Sequence, residues 1–375
     1  MLTSQPTTST PVWPDGASLR EWEARARAVL DRGAWDFLAG GAGEEWTLDA
    51  NLSAFRTLGL VPRVLRDVSA PDPRCELLGS RSSLPIAVAP MAYQRLFHPG
   101  GEVAVAAAAA RAGVPYVVSM LSSSPFSDIA ATGATTWLQL YWLRDRRRMQ
   151  ELLDQGEAVG VRGLVLTVDV PAIGVRLRDL ANGFALASHV FAVNSDFGDR
   201  GRQPSTRESV IATSSASFLD ASITWRDIEW IRSRTRLPII LKGIMDPTDA
   251  ATAADLGVDA LVVSNHGGRQ LDRAAPSLLV LPEIVDEVAG RCEILLDSGV
   301  RSGTDVLVAL ASGATAVLVG RPLLWGLSVA GQEGCSRVLD ILKTELTSGM
   351  RIAGCPDLAA VSELRTVSFR PEVRA

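Results

Sequence analysis

The segment of the sequence best equipped for chemistry is residues 264–272, which read Ser-Asn-His-Gly-Gly-Arg-Gln-Leu-Asp. His266 is one of only three histidines in the chain, and a neutral imidazole, which titrates close to neutral pH, can accept a proton from a substrate. Arg269 follows three residues later, and Arg176, with Arg178 close by, occurs in a Gly-x-Arg segment. A guanidinium offers paired donors that match a planar carboxylate, a geometry that lysine does not reproduce. These residue types indicate proton transfer on a molecule that carries a carboxylate.

Two glycine–arginine segments indicate a phosphate site. Residues 297–301 read Asp-Ser-Gly-Val-Arg, and Gly320 is followed by Arg321. Glycines let backbone N–H groups come close to an anion, and the arginines add positive charge. The alternative is that these glycines serve only in tight turns, and for Arg176 and Arg269 it is that each is a surface residue paired with an acid.

Eight short aliphatic runs recur along the chain, and each is followed by a segment of helical character. The runs are apolar throughout, as expected for strands buried on both faces of a parallel sheet. Eight strand–helix units in series predict a closed (β/α)8 barrel, whereas the alternative, a doubly wound open sheet, normally has fewer strands. The predicted strands are residues 86–90, 116–119, 137–141, 164–169, 239–243, 261–265, 294–297 and 316–320, and the helices include residues 102–112, 247–256 and 304–311.

Polar residues stand at the C-terminal ends of these runs. In a barrel of parallel strands those ends form the rim on which binding and catalytic sites are built. A requirement for stability alone would not place polar groups there so regularly. The residues concerned are Ser119, Gln139, Tyr141, Thr167, Lys242, Asn265, His266 and Asp297.

Three segments lie outside the strand–helix alternation. Residues 1–17 are rich in Ser, Thr and Pro and are predicted to form a flexible tail before a single barrel domain over residues 18–375. A helical extension is predicted over residues 19–38, and its closing glycines, Gly40, Gly41 and Gly43, are interpreted as a helix end that needs a positive φ. Residues 185–222, after the fourth strand, are too long for an ordinary connection and are predicted to be a mobile lid, with a functionless insertion as the alternative.

The composition excludes several classes of protein. A hydrophobic content of 47% suits a globular protein with a large core, and a net charge of −5 without clustered Lys and Arg argues against nucleic-acid binding. The four cysteines form no CxxC pair, so no metal site is expected. Neither a signal peptide nor a membrane-spanning run is apparent, so we expect a cytoplasmic protein with reduced thiols and no membrane partner.

Residues 264–272 resemble the signature of the FMN-dependent 2-hydroxy acid oxidases and dehydrogenases, the family of glycolate oxidase and lactate oxidase. Three further segments, residues 37–41, 93–99 and 142–145, look most like the 4-hydroxymandelate oxidases of actinomycetes within that family. The resemblance extends in the family's order over residues 30–355, through motifs at residues 90–92, 139–141, 167–171, 174–176, 241–243, 297–305 and 320–322.

The resemblance implies FMN-dependent oxidation of an (S)-2-hydroxy acid to the 2-oxo acid, with O2 as the acceptor and H2O2 as the product. It implies that His266 is the base, and that Asp169 orients the imidazole and stabilises its charged form. Tyr141 would hydrogen-bond the substrate and stabilise developing charge. Arg176 and Arg269 match the family's substrate arginines. Both a hydride route and a carbanion route are compatible with this set.

The resemblance also implies contacts to FMN. Lys242 would lie near the N1–C2=O edge of the flavin, where the reduced ring gathers negative charge. The backbone at Met91 and Ala92 would approach the ring near N5, and Asp297 would bind the ribityl hydroxyls. The other implied cofactor contacts are Ser119, Gln139 and Thr167 at the polar edge of the ring, Gly299, Arg301, Gly320 and Arg321 at the phosphate, and Ser264 and Ser298.

Three positions depart from the family's usual pattern. Phe37 stands where glycolate oxidase has a substrate-binding tyrosine, so one hydrogen bond to the carboxylate is missing. Leu121 aligns with a pocket position that is aromatic or small in the family. Both changes predict a substrate side chain larger than that of glycolate, either aromatic, as in mandelate or 4-hydroxymandelate, or aliphatic. Ser298 replaces the second residue of the more usual Asp-Gly-Gly.

Other functions fit parts of the sequence. The chain could be a dehydrogenase for a lactate-like acid that uses a quinone or another carrier, although the absence of an apparent membrane segment favours an oxidase. It could also be a non-redox phosphate-binding barrel enzyme, which would be colourless, or a flavoprotein that no 2-hydroxy acid bleaches. A homotetramer is expected because tetramers are common in the family.

Overall fold

The computed structural model of the protein describes residues 18–195 and 217–369. The predicted flexible tail, residues 1–17, and residues 196–216 of the predicted lid lie outside the described residues. No helix within the two described ranges combines the length and the hydrophobicity needed to cross a membrane.

The strands and helices alternate along most of the described chain. The strands are β1 (Leu58–Leu60), β2 (Cys75–Leu77), β3 (Ser80–Ser82), β4 (Ile86–Val88), β5 (Tyr116–Ser119), β6 (Thr136–Tyr141), β7 (Leu164–Thr167), β8 (Ile239–Ile244), β9 (Ala260–Val263), β10 (Glu293–Leu296), β11 (Ala316–Val319) and β12 (Thr366–Ser368). The helices are α1 (Leu19–Val29), α2 (Arg32–Ala39), α3 (Trp46–Arg56), α4 (Gly101–Ala112), α5 (Phe126–Ala130), α6 (Arg146–Ala158), α7 (Leu177–Asn182), α8 (Arg226–Arg232), α9 (Pro247–Asp255), α10 (Ser277–Val288), α11 (Gly303–Ala311), α12 (Arg321–Ala353) and α13 (Leu358–Ser362).

Strands β4 to β11 form a closed barrel of eight parallel strands, in which β4 pairs with β11 to complete the circle. The predicted (β/α)8 barrel is therefore confirmed, and each predicted strand agrees with the observed one to within two residues at either end. The strands are recognisable in sequence because they are buried on both faces, between the barrel interior and the surrounding helices. Strand β7, for example, is buried at all four of its positions.

The register of the barrel brings polar residues of neighbouring strands to the same height. Ser119 on β5 pairs with Gln139 on β6, and Thr167 on β7 pairs with Lys242 on β8. Because all eight strands are parallel, their C-terminal ends lie on one rim. The polar residues predicted to share that rim therefore lie side by side.

A short hairpin covers the opposite, N-terminal end of the barrel. Strands β2 and β3 pair antiparallel, and Leu77 is fully buried in the cluster of apolar side chains that fills the barrel interior. The backbone N–H of Leu78 donates to the carboxylate of Glu293, at the start of β10, over 2.9 Å. This hairpin makes the N-terminal end part of the core and leaves the C-terminal rim for a site.

The predicted helix over residues 19–38 is divided in the structure. Leu30 is extended, with ψ of 143°, and Asp31 caps the second helix by accepting a hydrogen bond from the Ala34 N–H over 2.8 Å. The interpretation of the following glycines is also wrong for Gly40, whose φ is −67°, although Gly43 has a φ of 54°. Close packing explains Gly41 instead, since a Cβ there would lie 2.9 Å from the carbonyl oxygen of Gly268.

Candidate active site

A cavity opens at the C-terminal rim, with a volume of about 1260 Å³ that includes its open mouth. All of the predicted site residues line it except Asp169 and Ser264, which contact lining residues from behind. The predicted residues on its walls are Phe37, Met91, Ala92, Ser119, Leu121, Gln139, Tyr141, Thr167, Arg176, Lys242, His266, Arg269, Asp297, Ser298, Gly299, Arg301, Gly320 and Arg321.

His266 and Asp169 form a hydrogen-bonded pair at this rim. The imidazole Nδ1 lies 2.9 Å from Asp169 Oδ1, and His266 occupies a short turn after β9 with a φ of 59°. Burial lowers the pKa of His266 despite the opposing charge of Asp169, which favours a neutral ring. Burial raises the pKa of Asp169, but the charge and hydrogen bond of His266 and the charge of Lys242 outweigh it and keep the carboxylate ionised. With Nδ1 bonded to Asp169, Nε2 is the nitrogen left to accept a proton.

Lys242 carries a buried positive charge on β8. Its Nζ lies 2.9 Å from Asp297 Oδ2 and donates to Ser264 Oγ over 2.8 Å. Burial lowers the pKa of this lysine, but the charges of Asp297 and Asp169 more than reverse the effect, so the net shift is upward. The ammonium group is therefore a permanent cation at the wall of the cavity.

A row of hydrogen bonds crosses three strands beside Lys242. Ser119 Oγ donates to Gln139 Oε1 over 3.1 Å, and Gln139 Nε2 donates to Thr167 Oγ1 over 3.1 Å. All three side chains are buried, and all three line the cavity. The hydrogen bonds between these three side chains fix their orientation. A row of fixed polar groups suits the polar edge of a planar ligand.

Arg176 and Arg269 both lie close to the aromatic ring of Phe37. Their guanidinium carbons are 5.6 Å and 5.1 Å from the centroid of Phe37, and both side chains reach the cavity. Arg269 is anchored by donating to the carbonyls of Phe37 and Gly40 over 2.8 Å and 2.9 Å. Burial and the neighbouring charges of Arg176 and Arg321 lower its pKa against the opposing charge of Asp179, so further negative charge at this end of the cavity would be favourable. A carboxylate would supply that charge.

The ends of β10 and β11 place two further arginines at the cavity. Arg321 donates to the carbonyls of Leu38, Gly267 and Gly40, and burial together with the charges of Arg301 and Arg176 lowers its pKa to about 9. Burial also lowers the pKa of Arg301, whose guanidinium donates to the Val300 carbonyl and faces the ring of Trp325. Two buried guanidinium groups with lowered pKa values are matched by a phosphate, the predicted ligand at this position.

Tyr141 and Leu121 complete the predicted wall. Burial raises the pKa of Tyr141 to about 12, with the charge of Asp169 adding to the effect, so the phenol keeps its proton. Leu121 is buried, and its backbone N–H donates to Ser119 Oγ. Arg178, the alternative to Arg176, lies outside the cavity and pairs with Glu45.

Several residues that support the site are not among the predicted site residues. Phe97 and Phe184 are each stacked against Phe37, with ring centroids 6.4 Å and 4.9 Å from its centroid. Asp179 is buried 4.0 Å from Arg176, and neither of its carboxylate oxygens has a hydrogen-bond partner among the residues that the structure describes. The remaining unpredicted lining residues include Tyr93, Ile173, Phe218, Leu219 and Leu324. Phe218 and Leu219 belong to the predicted lid and follow its undescribed part.

The donor set of this cavity fits FMN. The buried cation of Lys242 and the row of hydrogen-bonded side chains beside it match the polar edge of the flavin ring. Arg301 and Arg321, which line the same cavity, match the phosphate of the cofactor. Fold and site thus define a flavin-dependent barrel enzyme that acts on a carboxylate-bearing substrate.

Comparison with known proteins agrees with this assignment to the flavin-dependent barrel enzymes. The family described as FMN-dependent dehydrogenase matches residues 26–367, and the chain belongs to this family. It is 48% identical to the 4-hydroxymandelate oxidase of Amycolatopsis orientalis, over 93% of this chain and 98% of that protein. It is 44% identical to an L-lactate oxidase of Nostoc, over 91% of this chain and 95% of that protein. A crystal structure of mandelate oxidase with (S)-4-hydroxymandelic acid superposes with a TM-score of 0.92 at 48% identity, over 94% of this chain and 99% of that one. The resemblance seen in the sequence and the dependence on FMN are therefore confirmed.

Proposed function

We propose that this chain oxidises an aromatic (S)-2-hydroxy acid, of the mandelate or 4-hydroxymandelate type, to the corresponding 2-oxo acid. The observation that carries the proposal is the convergence on one cavity of the His266–Asp169 pair, the two arginines beside Phe37, and Lys242. These are a base, a carboxylate site and a cation for the flavin, which are the three elements that the reaction requires.

Arg176 and Arg269 bind the substrate carboxylate in this proposal. Burial lowers the pKa of both guanidinium groups, and the charge of Arg176 lowers that of Arg269 further, so binding an anion would favour their charged forms. Fixing the carboxylate at two arginines orients the neighbouring carbon, which bears the hydroxyl and the hydrogen to be removed.

His266 takes the proton through Nε2. Asp169, bonded to Nδ1, fixes the ring and stabilises the imidazolium that forms. Tyr141 keeps its proton over the working pH range and donates a hydrogen bond to the substrate oxygen where charge develops. Bound FMN supplies the acceptor for the two electrons.

The residues proposed to hold FMN divide by position. Lys242 would lie at the N1–C2=O edge, and the Ser119–Gln139–Thr167 row would hold the polar edge of the ring. The backbone at Met91 and Ala92 would lie near N5, and Asp297 would bind the ribityl chain. The proposed phosphate contacts are Gly299, Arg301, Gly320 and Arg321, with Ser264 and Ser298 supporting the cofactor site.

The apolar walls of the cavity support an aromatic substrate. Phe37 offers a ring without a hydroxyl, and Leu121, Phe97, Ile173 and Leu219 contribute further apolar surface. A phenyl side chain buried against such walls gains the free energy of apolar burial, about 25 cal/mol per Å². The mandelate and 4-hydroxymandelate oxidases among the relatives agree with this choice of side chain.

The acceptor, the assembly and the location are parts of the same proposal. Bound FMN would supply the two-electron redox chemistry, with O2 as the final acceptor of the two electrons and two protons and H2O2 as the product, as the oxidase relatives suggest. The protein assembles as a homotetramer in the cytoplasm. Light scattering of the purified protein at micromolar concentration checks the assembly, for which a mass four times that of the 39.9 kDa chain is expected.

The decisive experiment is anaerobic bleaching of the flavin followed by admission of air. Mandelate and 4-hydroxymandelate should bleach the 450 nm absorbance faster than lactate, glycolate or long-chain 2-hydroxy acids, and air should restore it rapidly with formation of H2O2. Slow reoxidation of the flavin by air together with fast reoxidation by a quinone would show that the protein is a dehydrogenase and not an oxidase. A yellow protein that none of these acids bleaches would overturn the proposed reaction.

A further inference from the structure

We infer that Ser298 is a positioning residue for the base: its hydroxyl holds the turn that carries His266 and joins that turn to the carboxylate paired with Lys242. The inference rests on the proposed function and adds to it a residue that acts through its neighbours and not by touching the substrate.

The hydrogen bonds around Ser298 form a closed circuit across three strand ends. The Gly267 N–H donates to Ser298 Oγ over 2.9 Å, and Ser298 Oγ donates to Asp297 Oδ1 over 2.7 Å. The other carboxylate oxygen of Asp297 lies 2.9 Å from Lys242 Nζ. Lys242 in turn donates to Ser264 Oγ over 2.8 Å, and the same oxygen accepts from the His266 N–H over 3.0 Å. The turn with His266 is thus held by one serine on each side.

The backbone conformation shows why two hydrogen bonds are needed. His266, Gly267 and Gly268 have φ values of 59°, 65° and 73°, a run of left-handed residues that is unfavourable for histidine. Such a conformation persists only where the surroundings fix it. The N–H groups of His266 and Gly267 are the groups that the two serines bind, so the contacts act directly on the strained turn.

Ser298 itself is left-handed, with a φ of 75°. Glycine adopts this conformation without a steric penalty, whereas serine does not, so the side chain must contribute something that the backbone alone lacks. The hydroxyl donates its one proton to Asp297 and accepts from Gly267, both inside the protein. With that proton engaged by Asp297, the hydroxyl has none left to donate to a cofactor or substrate. The hydroxyl of Ser298 therefore stabilises the turn that carries His266.

The test is Ser298→Gly, which removes the hydroxyl and also relieves the left-handed serine. FMN content and melting temperature should stay at or above those of the parent protein. The rate of anaerobic flavin reduction at saturating (S)-mandelate should fall about tenfold, the value of one hydrogen bond of about 1.4 kcal/mol. The dissociation constant of benzoate, which cannot be oxidised, should change little, because Arg269 is anchored separately by Phe37 and Gly40.

Two further variants separate the hydroxyl from backbone strain. Ser298→Ala keeps the left-handed side chain and loses the hydroxyl, so it should show the same loss in reduction rate together with a lower melting temperature. Ala289→Gly is the control, since Ala289 is also left-handed, with a φ of 49°, but lies at the end of α10 and not on the cavity wall. It should leave the reduction rate unchanged.

Reduction of Ser298→Gly at the parental rate would overturn the inference while leaving the proposed function intact. Loss of FMN or of folding in parallel with the rate would show a merely structural role and would also overturn it. If no 2-hydroxy acid reduces the flavin of the parent protein, the proposed function itself is wrong. That result is distinct from failure of the inference, since it is obtained on the parent protein alone.

Discussion

Arg269 and Arg321 donate to the same acceptor, the carbonyl of Gly40, each over 2.9 Å. Gly40 ends helix α2, where the carbonyls left without helical partners concentrate negative charge. One helix outside the barrel therefore fixes both an arginine proposed for the substrate and an arginine proposed for the phosphate. The substrate end and the cofactor end of the cavity share this support.

Arg269→Lys should raise the KM for mandelate by about tenfold to a hundredfold and leave FMN affinity unchanged. The lysine keeps the charge but cannot reproduce the fork of donors that binds a carboxylate while reaching two carbonyls. Steady-state kinetics and titration of the apoprotein with FMN check the two parts. Equal losses in both would show that this arginine serves the cofactor as much as the substrate.

His266→Ala should retain FMN and reduce the rate of flavin bleaching by a factor of about 10² to 10⁴, because the proton acceptor is removed. Stopped-flow reduction by mandelate measures this rate. His98→Asn is a matched control, since the His98 ring accepts a hydrogen bond from the Gly100 N–H and is not among the residues that line the cavity. Bleaching of His266→Ala at the parental rate would reject the assignment of the base.

The pH dependence should report His266 directly. Because burial lowers its pKa below the usual 6.5, kcat/KM should be constant near neutrality and fall only when the pH drops through that lowered value. Asp169 raises the pKa of His266, so Asp169→Asn should move the acid limb to still lower pH. The same change should slow reduction by about two orders of magnitude or more, since the imidazolium loses its carboxylate. A limb that moves upward would contradict the pairing.

Phe37→Tyr should raise kcat/KM for glycolate relative to mandelate by about tenfold, because the new hydroxyl adds a hydrogen bond near the carboxylate and makes the wall less apolar. Stacking between Phe97 and Phe184 holds the ring in place, which limits its freedom to turn away. Phe55→Tyr, a change at a buried ring outside the cavity, is the control. An unchanged ratio would count against the proposed contact of residue 37 with the substrate.

Arg301→Met should weaken FMN binding by about tenfold to a hundredfold, the value of a lost charged hydrogen bond, and leave riboflavin binding unchanged. Riboflavin lacks the phosphate, so the ratio of the two dissociation constants isolates the contact. Arg111→Met, at a surface arginine paired with Glu333 and Asp340, should leave the ratio unaltered. Parallel weakening of both ligands would place Arg301 away from the phosphate.

The barrel and its rim could be predicted from the sequence because both depend on local patterns. A strand buried on both faces is apolar along its length, and a polar residue such as Lys242 at its end marks the rim. The break at Leu30 and Asp31 could not be predicted because only two residues interrupt an otherwise helical pattern. The carbonyl of Gly40 and the stack of Phe97, Phe37 and Phe184 depend on long-range packing, which carries no local signal.

The pairing of β4 with β11 also sets an order of events in folding. Val88 pairs with Val319, a separation of 319 − 88 = 231 residues, so the circle closes only after nearly all of the chain is available. Contacts so distant in sequence form slowly. Gly320 and Arg321 follow the closing strand at once, which makes the phosphate end of the cavity one of the last parts to form. Cofactor capture then follows closure of the barrel, and FMN added during refolding stabilises the finished protein without guiding its earlier steps.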